Sequence, residues 1–275
     1  MNAGRAVVLA GFVFGCARGL RPAPAVDAVG DLVAAARARP VADRVIGRFS
    51  VALSTADDHV STQGAVVLDR PGRGHVALLG PLGGPVATLQ SDGAGVAVAL
   101  SRGHQHYVAA DGHAAMFDAS GVALDDLFGL FVGDPPLDRA EIVERRVVPD
   151  GAEVVLEGPR GARVTLELAS DATPRRISAV DGDGRLQLRA TYAPFAALAV
   201  ADGSEVRVPT ELVLELPAYA VSAELDFKSW TVPDTVPDVF SLAPPEGFAS
   251  SPLEAALGGL GARAGAAGLE LLDPP

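Results

Sequence analysis

The fold is decided by residues 45–54, which read Val45-Ile-Gly-Arg-Phe-Ser-Val-Ala-Leu-Ser54. Side chains of an extended strand point alternately to its two faces. Phe49, Val51 and Leu53 therefore share one face, and the mostly polar or small residues between them share the other. A period of two over this length indicates a half-buried β-strand rather than a helix.

The same alternation returns along most of the chain. Further strands are predicted near residues 59–69, 75–79, 85–90, 95–100, 104–109, 142–148, 152–157, 163–169, 174–180, 185–192, 205–216 and 219–230. Turn signals separate many of these short strands, which favours an antiparallel sheet. Helices are predicted from Asp27 to about Arg39 and, as two short ones, within residues 111–132. We therefore predict a mainly β (α+β) domain over residues 27–248, in which a single large curved antiparallel sheet, an open half-barrel, wraps around short helices.

The N-terminus has the layout of an export signal. Residues 1–15 combine an early arginine with a short apolar run, too short to span a bilayer. The run ends in Val13-Phe14-Gly15-Cys16, which resembles the lipobox of bacterial lipoproteins. We expect cleavage before Cys16, lipid attachment to that cysteine, and a tether over residues 16–26. A buried cysteine in a first helix is the alternative.

Composition limits the classes of partner. The net charge of −12 argues against nucleic acid, whose phosphates require a basic surface. Cys16 is the single cysteine, so no intramolecular disulfide can form. Residues 249–275 are rich in Gly and Ala and are predicted to be a flexible or weakly helical tail.

Residues 44–133 resemble the outer-membrane lipoprotein receptor LolB and its wider group, which includes the periplasmic carrier LolA. The resemblance rests on an ordered series of motifs. In chain order they are Gly47-Arg48-Phe49-Ser50-Val51, the apolar strand and Pro-Leu-Gly loop of residues 75–89, Asp92-Gly93 before Val96-Ala-Val98, Tyr107-Val-Ala-Ala-Asp111, and Leu127-Phe-Gly-Leu-Phe-Val-Gly133. The chain departs from the family at Val66-Val67-Leu68, where a Trp is often found. Beyond Gly133 only the number of strands corresponds.

The resemblance implies a function in handling acyl chains. It implies binding of acylated lipoproteins received from a LolA-like periplasmic carrier, no cofactor, and a position at the periplasmic face of the outer membrane. A concave apolar face would shelter the chains, and its candidate lining residues are Phe49, Val51, Leu53, Val66, Leu68, Val76, Leu78, Val96 and Val98. Alternation alone leaves open whether this face borders a cavity or a closed core.

The loop Pro81-Leu82-Gly83 is the candidate membrane-insertion element. In the receptor family a leucine on a comparable protruding loop inserts cargo into the membrane. The alternative is a leucine that folds back onto the core. A second hypothesis also stays open, in which the protein is a lipid-anchored binding or scaffold protein of the same fold for another apolar ligand or partner.

No residue constellation predicts an enzyme or a metal site. His104 and His106 would share a strand face but lack a third ligand. The segment Asp181-Gly-Asp-Gly184 lacks the later ligands of a calcium loop and is predicted to be a hairpin turn. Neighbouring acidic and arginine pairs are expected to face solvent.

Overall fold

The computed structural model describes residues 26–253, with gaps at 57, 71, 110–123, 136, 138–140, 159–160 and 202. The predicted signal peptide, Cys16 and nearly all of the tether lie outside the described residues. The same holds for residues 254–275 of the predicted tail, and for the first of the two short helices predicted within residues 111–132.

Two α-helices, one short 3-10 helix (Pro217–Tyr219) and sixteen strands are described. The helices are α1 (Val26–Arg37) and α2 (Leu124–Val132). The strands are β1 (Arg44–Ser54), β2 (His59–Asp69), β3 (Arg73–Leu79), β4 (Pro85–Asp92), β5 (Val96–Leu100), β6 (Gln105–Ala109), β7 (Glu141–Val148), β8 (Gly151–Glu157), β9 (Arg163–Ala169), β10 (Pro174–Val180), β11 (Leu186–Tyr192), β12 (Phe195–Ala199), β13 (Glu205–Pro209), β14 (Glu211–Leu216), β15 (Val221–Thr231) and β16 (Ala249–Pro252). Neither described helix is long and apolar enough to cross a membrane.

Fourteen strands form one open sheet. Their order is β16-β6-β5-β4-β3-β2-β1-β15-β14-β11-β10-β9-β8-β7, and β12 pairs with β13 in a separate two-stranded sheet. Neighbouring strands are antiparallel except β16 and β6, which are parallel. The predicted fold class, one large and mainly antiparallel sheet with few helices, is confirmed.

The sheet is strongly curved. Val98 on β5 and Leu214 on β14 line the same pocket, although six strand spacings separate them in the sheet order. On a flat sheet that separation would be roughly 29 Å, at about 4.8 Å per spacing. We call the face that carries Phe49, Val51 and Leu53 the concave face, because the curvature brings its side chains together.

Both helices pack on the concave side. Helix α1 lies against β7 and β8 and buries Val29 and Val33, and Pro40 follows its end. Helix α2 buries Phe128, Leu130 and Phe131. The apolar residues of both helices join the inward residues of the sheet in one core.

One predicted strand is two strands. Residues 205–216 form β13 and β14, which belong to different sheets. Pro209 ends β13 and has no backbone N–H for a continued ladder. The next residue, Thr210, accepts a hydrogen bond from Phe227 N (2.9 Å) and donates its own N–H to Pro194 O (3.3 Å), which redirects the chain. Strand β12 lies in a stretch where the sequence predicted no strand.

The chain after β15 crosses the outer face of the sheet. We call residues 232–248 the strap. Phe240 is buried there beneath the guanidinium of Arg73, which lies 4.7 Å from the ring centroid. Gln90 Nε2 donates to Ser241 O. The strap leads into β16, so the first four residues of the predicted tail form a strand.

Candidate functional site

An apolar pocket of about 210 Å³ opens on the concave face. Six of the nine predicted lining residues border it, namely Phe49, Val51, Leu53, Val76, Leu78 and Val98. The structure adds Ala87, Thr88, Leu89, Phe131, Leu214, Ala223 and Leu225. The added residues from β14, β15 and α2 could not be assigned from the sequence, because alternation shows a face but not which distant strands meet across it.

The strand register explains why these side chains meet. Leu53 pairs with Ala223, and Ala223 pairs with Leu214. On the other side Leu78 pairs with Ala87, which pairs with Leu100. Directly paired residues of antiparallel strands share a face. The small side chains of Ala87 and Ala223 leave room between the larger ones, and this room is part of the pocket.

The other three predicted lining residues lie in the closed core. Val66, Leu68 and Val96 are 0%, 1% and 0% exposed and do not border the pocket. The reason is helix α2, whose Phe128 ring lies against Gly74 so closely that a Cβ there would be 2.3 Å from Phe128 Cδ1. Gly74 pairs with Leu68. The helix therefore fills this part of the concave side, and the missing side chain of Gly74 admits it.

Three side chains fasten the C-terminal end of α2. The Tyr192 hydroxyl donates to Leu130 O at 3.0 Å. Arg39 donates to Gly133 O, and its guanidinium lies 5.4 Å from the Phe195 ring centroid. Arg70 forms a salt bridge with Asp134. Donors at a helix C-terminus satisfy carbonyls that have no partner within the helix.

Burial shifts the pKa of two members of this clamp, the buried Tyr192 and the half-buried Arg39. It raises the pKa of Tyr192 and lowers the pKa of Arg39 from its ordinary value. Tyr192 therefore stays a neutral donor at physiological pH. Sequence reasoning missed this clamp, because Tyr192 and Arg39 meet α2 only through contacts distant in sequence.

Among the described residues, the lining of the apolar pocket has no charged side chain, and Thr88 is its single polar residue. A charged group against this lining would lose hydration without gaining a partner from it. The described lining fits hydrocarbon.

Leu82 is fully exposed, at 101% of its reference area. It sits in a tight turn in which Gly80 N donates to Gly84 O at 2.8 Å and Gly83 N donates to Gly80 O at 2.9 Å. Gly83 has a φ of 81°, which a residue with a side chain would adopt with strain. The turn begins just after Leu79, the neighbour of the pocket residue Leu78. Leu82 therefore projects from the end of the sheet at which the pocket lies.

The remaining candidates do not assemble a site within the described residues. His106 is buried and its Nδ1 lies 3.0 Å from Ser250 Oγ, whereas His104 sits in a turn with a φ of 49° and is exposed. They do not share a strand face, which corrects the prediction. Asp181 accepts backbone hydrogen bonds from Asp183 (3.0 Å) and Arg185 (2.9 Å), as a hairpin turn requires. No group of three His, Cys, Asp or Glu residues in the described part could hold a metal ion.

Comparisons with known proteins show the fold. No family model matches the chain, and no curated protein matches its sequence. Among solved structures, a LolA superfamily protein from Nitrosomonas europaea is similar with a TM-score of 0.52 and 14% identity, covering 78% of this chain and 97% of that one. A DUF1329 family protein from Desulfovibrio piger matches with a TM-score of 0.56 and 13% identity, covering 78% and 96%.

A third solved structure is a domain from Vibrio parahaemolyticus named for outer membrane lipoprotein sorting. Its TM-score is 0.53 at 12% identity, and the match covers 76% of this chain and 93% of the domain. Nearly the full length of each of these proteins is matched. The chain therefore has the LolA-type fold.

Proposed function

We propose that the protein is a lipid-anchored envelope protein that binds acyl chains of lipoproteins and helps insert them into the outer membrane. The observation that carries the proposal is the uncharged apolar pocket on the concave face of a LolA-type sheet. Each methylene moved from water into such a pocket contributes about 0.8 kcal/mol. A chain of several methylenes therefore binds without any polar contact.

The size of the pocket limits what it holds. Ligand pockets for drug-sized molecules span roughly 300–1,000 Å³, whereas this one is about 210 Å³. It accommodates a segment of one acyl chain as it stands. Longer chains need more room, and Phe131 of α2 borders the space they would enter. Displacement of α2 would enlarge the pocket.

Leu82 supports the delivery step of the proposal. Burying one leucine side chain contributes about 1.5–3 kcal/mol, which is enough to orient a surface on a bilayer but not to hold it there. Lipid on Cys16 would supply the lasting attachment. In this arrangement the pocket opens toward the outer membrane, to which a periplasmic carrier would bring acylated lipoproteins.

The binding step is tested by filling the pocket. Ala87→Phe places a ring in the space that the small side chain leaves, and we expect it to weaken binding of a fluorescent fatty acid at least tenfold. Ala196→Phe is the matched control, because Ala196 is an exposed alanine on β12 that does not line the pocket. Equal binding by both variants, with unchanged circular dichroism, would refute acyl binding at this site.

The transfer step is tested with carrier loaded with acylated lipoprotein. We expect Leu82→Glu to accept cargo normally but to fail to deliver it to liposomes. Val143→Glu is the control, since Val143 is the other exposed large apolar residue among those described, at 44% exposure, and lies on the edge strand β7. If Leu82→Glu also loses acceptance, the loop has a different role.

The small volume of the pocket favours one alternative, a binding protein of the same fold for a single-chain apolar ligand. Mass spectrometry of lipids that co-purify with the protein separates the two functions. A bound free lipid together with no transfer from a loaded carrier would establish the alternative.

A further inference from the structure

The outer face of the sheet differs between its two halves. On β9 and β10 it carries solvent-accessible charge pairs, such as Arg176 with Glu167. On β2 to β5 it carries small apolar residues that are at most 8% exposed, namely Val67, Ala77, Ala97 and Ala99. The strap crosses this second half, and β16 continues it along the edge of β6. We call the strap and β16 together, residues 232–252, the cover.

Two buried histidines contact the cover. His75 on β3 has Gln90 and the backbone of Val239 as hydrogen-bond partners. His106 on β6 is 0% exposed, and its Nδ1 lies 3.0 Å from Ser250 Oγ on β16. Among the described residues, the other buried nitrogens, His75 Nδ1 and His106 Nε2, have no hydrogen-bond partner. Each ring thus has one nitrogen with a partner in or near the cover and one without any.

A proton on either ring would be poorly accommodated while the cover is in place. An imidazolium has two N–H donors, whereas a neutral imidazole has one donor and one acceptor. The added proton would therefore give each ring a buried donor without an acceptor, on a group that is now charged, and such burial is unfavourable. Burial accordingly lowers the pKa of both histidines. Protonation becomes favourable when the rings reach water, which requires the cover to open.

The charged groups around the two rings do not offset this effect. Those on the surrounding elements are Arg44, Arg48, Asp69, Arg73 and Asp92 on β1 to β4, Arg102 and His104 in the β5–β6 turn, and Asp234, Asp238 and Glu246 on the strap. Among these described residues, no charge contributes to the pKa shift of either histidine. Asp69 is already paired with Arg44 and Arg73. Strands β5 and β16, which flank His106, contain no charged residue.

The cover is held by few contacts. Phe240 is the one buried residue of the strap. Arg44 donates to Asp234 O at 2.6 Å, and Gln90 donates to Ser241 O. Strand β16 is only four residues long and pairs on one side. Segments with few buried contacts open at a smaller free-energy cost than the whole domain, so the cover can leave while the sheet stays folded.

We propose that the cover opens in mildly acidic solution, when His75 and His106 take up protons, and leaves the outer edge of β6 unpaired. This inference is independent of acyl binding. With the ordinary histidine pKa of about 6.5 in the open form, each ring raises the ratio of open to closed molecules by up to roughly 25-fold between pH 7 and pH 5. An unpaired edge presents backbone groups to which a further strand can bind.

Hydrogen–deuterium exchange measures the opening in the full chain carrying Cys16→Ser, which removes the predicted acylation site. Each rate is divided by that of an unstructured peptide at the same pH, which cancels the intrinsic pH dependence. We expect protection of the β16 amides, including the Ala249 N–H that donates to His104 O (2.8 Å), to fall at least tenfold from pH 7 to pH 5. At both pH values the amides of β8 and β9 should exchange roughly a hundredfold more slowly, because opening is local.

The variant that tests the histidines carries both His75→Gln and His106→Gln. A glutamine amide can still donate a hydrogen bond but takes up no proton, so protection of β16 should be equal at pH 7 and pH 5. Each single variant should keep about half of the response on a logarithmic scale. His59→Gln is the matched control, because His59 is exposed at the β1–β2 turn, where its Nδ1 lies 2.9 Å from Ser54 Oγ. It should keep the full response.

The unsubstituted histidines give a second test that does not depend on how a variant folds. NMR should show His75 and His106 titrating over the same pH range in which β16 loses protection. Titration of the rings with β16 still protected would overturn the proposal. The same conclusion would follow if the double variant kept the full pH response, or if β16 exchanged no faster than β8 and β9, which would indicate global unfolding.

Discussion

Two regions of the concave face have the same kind of sequence and different packing. In the closed region, Val66, Leu68 and Val96 are almost completely inaccessible. In the open region, Leu53, Leu78 and Val98 are half-buried and border the apolar pocket. All six were predicted from the same alternation.

The difference between the regions comes from one helix and one glycine. Helix α2 reaches the closed region because Gly74 presents no side chain to the Phe128 ring. The helix is held there at its C-terminal end by Tyr192 and Arg39. Over the open region, Phe131 is the one α2 residue with a described side chain that contributes to the lining. A binding pocket on this fold is thus the part of an apolar sheet face that its helix leaves uncovered.

The largest expected effect is on the free energy of unfolding, which should respond differently to a truncation in each of the two regions. Leu68→Ala should lower the free energy of unfolding by about 2–5 kcal/mol, because it creates a cavity in a closed core. Leu78→Ala should cost only about 1 kcal/mol, because its side chain already borders open space. Urea unfolding measures both, and equal losses would show that the two regions are equally packed.

A smaller effect is expected when the clamp on α2 is loosened. Tyr192→Phe removes the buried donor to Leu130 O and should cost about 1 kcal/mol, the net contribution of one hydrogen bond, because Leu130 O keeps the hydrogen bond from Gly133 N (3.2 Å). Tyr107→Phe is the control, because the Tyr107 hydroxyl donates to Gln105 at an exposed position. It should change stability by less than about 0.5 kcal/mol. If Tyr192→Phe leaves the free energy of unfolding unchanged, Arg39 and Arg70 are sufficient to hold the helix.

The pH dependence of stability should differ from that of acyl binding. The first depends on histidines of the outer face and the second on the concave face. Burial lowers the pKa of His75 and His106 from the ordinary 6.5. The unfolded chain therefore binds protons at these sites more readily than the folded one. Their contribution to stability is complete above the unfolded pKa near 6.5 and is lost as pH falls from there through the lower folded values.

Acyl binding should not follow this pH profile, because none of the described residues that line the apolar pocket is titratable. We expect thermal stability to fall between pH 7 and pH 5, while the affinity for an uncharged acyl probe stays constant as long as the protein is folded. Replacement of both histidines by glutamine should flatten the stability profile. A parallel fall in affinity would indicate that the outer face and the pocket are coupled.

The smallest effect on the free energy of unfolding is expected at Leu82, at the exposed end of the open region. Leu82→Glu should leave the free energy of unfolding within about 0.5 kcal/mol of the unchanged protein, because the side chain makes no buried contact. Differential scanning calorimetry measures this. A substantial loss of stability would show that Leu82 packs on the protein and does not project from it.

Much of the fold and part of the candidate site could be predicted from the sequence. The period of two located most strands, and Asp181-Gly-Asp-Gly184 was correctly predicted as a turn. Six pocket residues were named because they share a face with Phe49. The sequence could not exclude Val66, Leu68 and Val96 from the pocket, since whether a helix covers a face depends on contacts between distant segments.

Other features carried no local signal. The clamp formed by Tyr192, Arg39 and Arg70 joins α2 to parts of the chain that are far apart in sequence. The division of residues 205–216 into two strands depends on where Thr210 finds its hydrogen-bond partners.

The sequence by itself determined that this protein is a large, mainly antiparallel sheet with one apolar face, because alternation is a local property of the chain. It also determined that a leucine stands at the tip of a glycine-bounded turn. Only the tertiary structure decided which part of that face is core and which part is pocket. The reason is that an apolar side chain gains the same free energy whether a helix or a ligand removes it from water. The alternating pattern of apolar residues in the strands is therefore the same in both cases.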